Sequence, residues 1–426
     1  MLLRFRVSNY ASLRDEQELS MIALDKHQDL ALRPVPREDD QVLPVVGIFG
    51  KNASGKSNVI KALTFAVDAV RESHQRWLPE EGVPRWPFQL DEQSRPAPSR
   101  FIFDLVVDNV RYEYGFAVDD EAVREEWLYS YPLGKKRMLF ERDASMRFGD
   151  NLTGQREVIA NLVRPNSLFL SAAAANNHKQ LSVLHGWFAT YRQSRPTRLG
   201  HLPPPGVRHI DDQVLGLLRY ADLGISGARM VRPTQAERER FLTYQRERFA
   251  RSTSGGDLEE VEPPPRFALV HEAATPSGEA AMPWQWESTG TQQWFYLVRS
   301  VLNALQRGML MAVDDLGTGL HPLLTAQVIK LFHDPATNPH GAQLIFNSHE
   351  VGLLGRHYGV RLARDQVWLT DKDRHGATRL FPLTEYRVRD GLDDVEGRYL
   401  KGRYGAVPFF DEEILEALVG PERDGE

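Results

Sequence analysis

Apolar residues fall along this chain in two rhythms. In Phe101-Ile102-Phe103-Asp104-Leu105-Val106-Val107 the odd positions are apolar, Asp108-Asn109 turns, and Tyr112, Tyr114, Phe116 and Val118 alternate back. That pattern predicts an antiparallel hairpin. Met1 to Val7 alternates in the same way, and Glu126 to Tyr131 and Met138 to Phe148 predict further short strands. Val45–Phe49, Gly308–Val313 and Ala342–Asn347 are instead mostly apolar runs without alternation, and read as buried strands. Helix-length segments between the last two suit parallel strands joined by right-handed crossovers. Asn58 to Val70, with Ile60, Leu63, Phe65 and Val67 on one face, predicts a helix. Ser20 to Pro44 and Trp77 to Pro98 read as Pro-punctuated connections. From Asn161 to about Phe249 strand alternation gives way to helical spacing, as in Val214, Leu217, Leu218 and Leu223. Pro203-Pro204-Pro205 interrupts it, and Ser252 to Pro265 reads as a polar linker. The expected fold is α/β, with an antiparallel β-region and a helical insertion.

Composition narrows the chemistry. The chain has 426 residues, enough for one large or two ordinary domains. It has no Cys, which excludes disulfides and thiolate metal sites. No apolar stretch approaches the roughly 20 residues that span a bilayer, so no membrane partner is expected and a cytoplasmic location is the default. A net charge of −6 gives no global push toward nucleic acid. The exception is local: twelve arginines and no lysine lie between Arg192 and Arg251, either a solvated arm or a surface for nucleic acid or an acidic partner.

Gly50-Lys51-Asn52-Ala53-Ser54-Gly55-Lys56-Ser57 lies between the first apolar run and the predicted helix. It fits G-x-x-x-x-G-K-[ST] in the strand–loop–helix context where that pattern cradles phosphates on backbone N–H groups at a helix N-terminus. Lys56 would reach the β- and γ-phosphates of a nucleoside triphosphate, and Ser57 would ligate Mg²⁺. A second run ends in Asp314-Asp315, where carboxylates must emerge beside the triphosphate. Asp314 would hold Mg²⁺, and Asp315 would orient or deprotonate the attacking water. Gln89 is a candidate ligand for the metal and γ-phosphate.

Two more motifs follow in order. Glu287-Ser288-Thr289-Gly290-Thr291-Gln292 opens a helix, and His349 ends the third apolar run. Either alone is weak: the first is an N-cap, the second a histidine at a strand end. Phosphate loop, insertion, signature helix, carboxylate strand and histidine together resemble the ABC-type ATPase heads of the SMC, RecF and OLD class. The opening Phe5-Arg6-Val7-Ser8-Asn9-Tyr10 also resembles the start of such heads. The resemblance implies that ATP is the substrate and that two heads sandwich two nucleotides, with Ser288 and Gly290 acting in trans. It also implies that Leu316 to Leu320 forms the D-loop and that His349 senses the γ-phosphate. Leu362 to Trp368 and Arg398 to Pro408 resemble signatures of a smaller group, the bacterial AAA/ABC-like ATPases of the abortive-infection AbiL/RloA type.

That resemblance implies an ATPase with ATP and Mg²⁺ as cofactors, working as a homodimer or higher even oligomer beside a separately encoded effector, often a nuclease, in phage defence. The alternative is a RecF- or SMC-like repair ATPase that clamps DNA, favoured by the Arg-rich insertion and disfavoured by the absence of long heptads. A self-contained nuclease would need carboxylates after His349, where only a short tail is expected, and the insertion argues against a transporter. The expected organisation is 1–160 for the N-terminal part of the head, 161–265 for the insertion and linker, and 266–426 for the C-terminal part. Such heads usually carry Glu where Asp315 stands. A carboxylate withdrawn by about 1 Å can cost on the order of 10²-fold in rate, which predicts slow hydrolysis.

Overall fold

The computed structural model describes residues 1–194, 211–221, 223–250, 263, 265–389 and 393–408. The chain divides into two compact units. The first comprises 1–193, 304–316 and 329–426; the second comprises 194–303 and 317–328.

The first unit is built on two sheets. A six-stranded sheet orders Arg192–Ser194, Leu310–Val313, Gln343–Asn347, Val45–Phe49, Val367–Lys372 and Thr378–Pro382 side by side. The four middle strands are parallel, and Thr378–Pro382 returns antiparallel. Every residue of Val45–Phe49, Leu310–Val313 and Gln343–Asn347 is buried, which is why these segments carry no alternation. The second sheet is antiparallel and seven-stranded, running outward from Gln17–Ser20 and Leu2–Ser8 to Met146–Phe148. The predicted hairpin is Ser99–Val107 and Val110–Val118, with Asp108 and Asn109 at φ of +48° and +60°. Both central residues in the left-handed region match the primed turn that suits strand twist.

The helix Lys56–Arg76 buries Val59, Ile60, Leu63, Ala66, Val67 and Val70, and its Phe65 ring lies 5.2 Å from Phe101 of the antiparallel sheet. The helices Phe169–Ala175 and Lys179–Thr190 complete this core, with Phe188 edge-on to Phe103 at 5.0 Å. A fully buried carboxylate ties them to the sheet. Glu126 accepts the Tyr114 hydroxyl at 2.9 Å and the N–H groups of Phe169 and Leu170 at 2.6 and 3.0 Å. Burial nonetheless raises its pKa.

Three expectations need correction. Ser20–Pro44 is not a bare connection: Arg33–Pro34 and Gln41–Val42 pair, and Met21, Val35, Val42 and Leu43 are buried. Met138–Phe148 is two strands, Arg137–Arg142 and Met146–Phe148, because Asp143–Ser145 turns between them. The insertion is not purely helical. It holds the helices Asp212–Tyr220 and Gln235–Ala250, but also Ile225–Val231, which pairs with Arg266–Glu272 and, through it, with Glu279–Pro283. Ile225–Val231 has only Ile225 fully buried, so it lacked the apolar alternation that betrays a strand. Pro203–Pro205 and most of the proposed linker lie outside the described residues.

Candidate functional site

The phosphate loop is shaped by what surrounds it. Gly50, Ala53 and Gly55 have φ of +154°, +62° and +110°. A Cβ on Gly55 would stand 2.1 Å from Thr378 Oγ1, and one on Gly50 would stand 2.5 Å from Thr370 Oγ1. Those two threonines brace the loop: Ser54 Oγ and Thr370 Oγ1 are 2.6 Å apart, and Thr378 Oγ1 donates to the Ser54 carbonyl at 2.8 Å. The following helix has no side-chain cap and no acid in its first turn. Its free N–H groups and the positive end of its dipole therefore face an anion site unopposed.

Lys56 is buried and donates to the carbonyls of Gly50 and Lys51 at 2.7 and 2.9 Å. Burial lowers its pKa, while Asp315 and Asp314 pull it back up. Lys51 is held 2.8 Å from Asp371.

The carboxylates emerge level with the loop because Val313 pairs with Phe346 and Asn347 pairs with Ile48. Asn347, with no exposed surface, joins them. Its Nδ2 donates to Asp314 Oδ1 at 2.7 Å and lies 3.3 Å from Ser57 Oγ. Its Oδ1 accepts the backbone N–H of Asp315, and its carbonyl accepts the N–H of Leu316 at 2.9 Å. Asp315 is thereby held at φ +60°, a left-handed conformation uncommon outside glycine. Burial, then Asp314, raises the Asp315 pKa. His349 Nε2 lies 3.8 Å from Asp315 Oδ1 with half its side chain exposed. Burial and then Lys56 lower its pKa, opposed by Asp315.

These groups suit Mg²⁺ with a triphosphate. Ser57 and Asp314 supply two hard oxygens around the Asn347 amide, and among the described residues no cluster of three or more His, Asp or Glu could hold a metal alone. Mg²⁺ takes one or two protein ligands and fills its octahedron with phosphate oxygens and water.

The second unit carries the segment Glu287 to Gln292. Ser288 caps the helix Thr289–Arg307, its Oγ accepting from Thr291 N at 3.1 Å and pairing with Thr291 Oγ1 at 2.9 Å. A Cβ on Gly290 would stand 2.8 Å from the Gly319 carbonyl, so two glycines let these backbones meet. Beneath them Glu287 pairs with His271 at 2.8 Å, and Trp284 packs edge-on against Phe295.

Gln89 is not joined to the Ser57 and Asp314 set. It is exposed, and its amide turns back on the Pro87 carbonyl at 3.2 Å. Asn9 fixes that loop, accepting from Phe88 N and donating to the carbonyls of Ser94 and Ala97. Gln89 instead lines a 360 Å³ groove with Ser12, Asn58, Phe88 and Lys372. The C-terminal Arg398–Pro408 segment packs as a structural element, with Tyr399 and Tyr404 buried and the Tyr399 hydroxyl on the Ala406 carbonyl. Asn347, Thr370 and Thr378 were not foreseen. Asn347 had one signal, its place two residues before His349 at the end of an apolar strand; the threonines had none.

A glycine loop at a helix N-terminus, its lysine, and a carboxylate pair on a parallel strand define a P-loop nucleotide-binding protein. The model of the family described as "AAA domain, putative AbiEii toxin, Type IV TA system" matches residues 45–355, and the chain belongs to that family. It is thus a P-loop ATPase related to abortive-infection systems. No curated protein matches it. Among the described residues no helix is long and apolar enough to cross a membrane.

Proposed function

We propose that the chain is an ABC-type ATPase head of the SMC, RecF and OLD class, nearest the AbiL/RloA type, and that it hydrolyses ATP slowly as a homodimer to regulate a separate effector. The observation that carries the hydrolytic part is the set gathered on Asn347: Ser57, Asp314 and the backbone of Asp315. Bound at Ser57 and Asp314, Mg²⁺ would neutralise charge on the β- and γ-phosphates. Lys56 leaves the Gly50 and Lys51 carbonyls for the phosphate oxygens. Asp315, its basicity raised, takes a proton from water as the water oxygen bonds to the γ-phosphorus. The bond from that phosphorus to the β-bridging oxygen breaks, giving ADP and phosphate. His349, kept neutral by burial and Lys56, donates a hydrogen bond to the γ-phosphate. Ser288 and Gly290 of a second copy would close the site.

In this reading the ATP-bound dimer is the long-lived state, and its opening releases or activates the effector, a nuclease in the simplest case. The test mixes Lys56→Ala with Ser288→Arg chains, each inactive alone. Recovery of part of the ATPase activity supports a trans signature; no recovery at any ratio counts against it. Co-purification from cells carrying the neighbouring genes identifies the effector.

One observation favours the repair-type reading. The helix Gln235–Ala250 has no single apolar face, and Arg240 and Arg246 on it are exposed. ATP-dependent, salt-sensitive binding of duplex DNA would support it.

A further inference from the structure

Away from the nucleotide site, the first unit has a cleft of about 560 Å³ between Asn151–Gln155 and Asn176–Gln180. Among the described residues that line it, Lys179 is the only ionised side chain, there is no carboxylate, and amides make up most of the rest. One wall is the start of the 12-residue helix Lys179–Thr190. Its first N–H groups have no acceptor within the helix, and they carry the positive end of the dipole.

A second observation points to a ligand. His178 caps this helix through Nδ1, which accepts the Leu181 N–H at 3.3 Å. A ring nitrogen that accepts carries no proton, so the neutral ring carries its proton on Nε2. His178 is 5% exposed, and this Nε2 donor has no partner. It is aimed across the cleft at the opposite wall, where a Cβ on Gly154 would stand only 3.2 Å away. Gly154, at φ +102°, leaves that space without a side chain. Gln180 is already committed to joining the walls, its Oε1 accepting from Thr153 N and its Nε2 donating to the Asn151 carbonyl, both at 3.2 Å. What remains unspent is a set of donors: the His178 N–H, the Lys179 ammonium and the helix amides. Among the described residues no carboxylate offers a cation a charged ligand there, whereas an oxyanion meets the ammonium and the helix amides directly and the His178 N–H once the covering turn moves.

We propose that this cleft is a second anion site, separate from the phosphate loop, which takes the phosphoryl group of a small polar ligand. The helix N-terminus and Lys179 hold the charge. The Thr153–Gly154 turn gives way so that His178 Nε2 donates to one oxygen, and the Asn151 and Asn177 side of the cleft accommodates the rest of the ligand.

Calorimetric titration of inorganic phosphate into the full chain tests this, with the phosphate loop filled by a non-hydrolysable ATP analogue and Mg²⁺. His178→Asn keeps an N-cap acceptor and deletes the Nε2 donor; Lys179→Ala removes the charge at an exposed position. Phosphate should bind one per chain, and each substitution should weaken it about tenfold or more. Thermal unfolding of each variant checks its fold, and if His178→Asn melts early the exposed Lys179→Ala decides. AMP titrated in parallel separates the sources: tighter binding than phosphate indicates a nucleotide ligand, and equal binding indicates free phosphate. No phosphate binding beyond the filled loop, or binding that both substitutions leave unchanged, overturns the proposal.

Discussion

Asn347 and Asp314 are joined by a 2.7 Å hydrogen bond, and the same amide nitrogen lies 3.3 Å from the Ser57 hydroxyl. One buried side chain thus aligns both groups that would bind Mg²⁺, while its oxygen fixes the backbone of Asp315. Asn347→Ala leaves Asp314 and the Asp315 N–H, both only partly buried, without this partner, at a cost of about 1 kcal/mol each. Turnover should fall on the order of 10²-fold through misplacement of the carboxylates. Nucleotide binding should suffer less, because Lys56 and the loop are untouched. Steady-state ATPase assays with a Mg²⁺ titration and a thermal melt separate the effects. Turnover within twofold of wild type would remove Asn347 from the mechanism.

Asp315 makes a prediction in two parts. If its shorter side chain limits the rate, Asp315→Glu raises turnover, while Asp315→Asn abolishes it and leaves ATP bound. The stability effect follows from the raised pKa. The folded state favours the protonated acid, so the stability that Asp315 contributes is full below its ordinary pKa and is lost as pH rises through the folded value. Ionised at pH 7, the group opposes folding. Asp315→Asn should therefore melt higher than wild type at pH 7 without nucleotide, with the gain shrinking as pH falls toward 3.8. An equal or lower melting temperature at pH 7 would contradict this.

Gly55→Ala should be severe. The residue sits at φ +110°, and its Cβ would overlap the Thr378 hydroxyl that holds Ser54. Strain at such a position costs about 1–3 kcal/mol, and the loop loses its shape as well. Nucleotide affinity should fall by at least about tenfold, read by equilibrium binding of a fluorescent ATP analogue. Ala at Gly186, where a Cβ meets nothing within 4 Å, is the control and should bind normally.

His333 should make the fold acid-sensitive. It is buried and accepts a hydrogen bond from Gln366 at 2.9 Å, and burial lowers its pKa to about 4. His27 adds to that lowering. The unfolded chain binds the proton first, so the stability this group contributes is present above pH 6.5 and lost as pH falls toward 4. The most it can remove is about 3 kcal/mol. His333→Gln keeps an acceptor and cannot titrate. Urea unfolding at pH 7.5 and pH 5 should show a larger acid loss for wild type than for the variant; equal losses would exclude His333 as the cause.

The hairpin around Asp108-Asn109 and the three fully buried strands were legible because each is set by a pattern within a few residues. Ile225–Val231 was not, because its strand character comes from pairing with Arg266–Glu272 and only Ile225 is fully buried. Gln89 was assigned toward the metal by its position after the phosphate-loop helix. The loop that carries it is instead fixed by Asn9, a residue 80 positions earlier, which turns the glutamine to the surface.

The sequence by itself determined that a nucleotide phosphate site exists and where its loop lies, because loop, lysine and helix are contiguous and the geometry is local. It also determined which strand end carries the carboxylates. Tertiary structure alone decided how those pieces meet. Leu310–Val313, Gln343–Asn347 and Val45–Phe49 become neighbours only through parallel pairing between distant segments. That order puts an asparagine between a hydroxyl and a carboxylate separated by some 250 residues of chain. It likewise puts Thr370 and Thr378 where two glycines of the loop have room for no side chain. Spacing along a chain encodes local backbone geometry; contacts across a sheet depend on strand order, which no single segment contains.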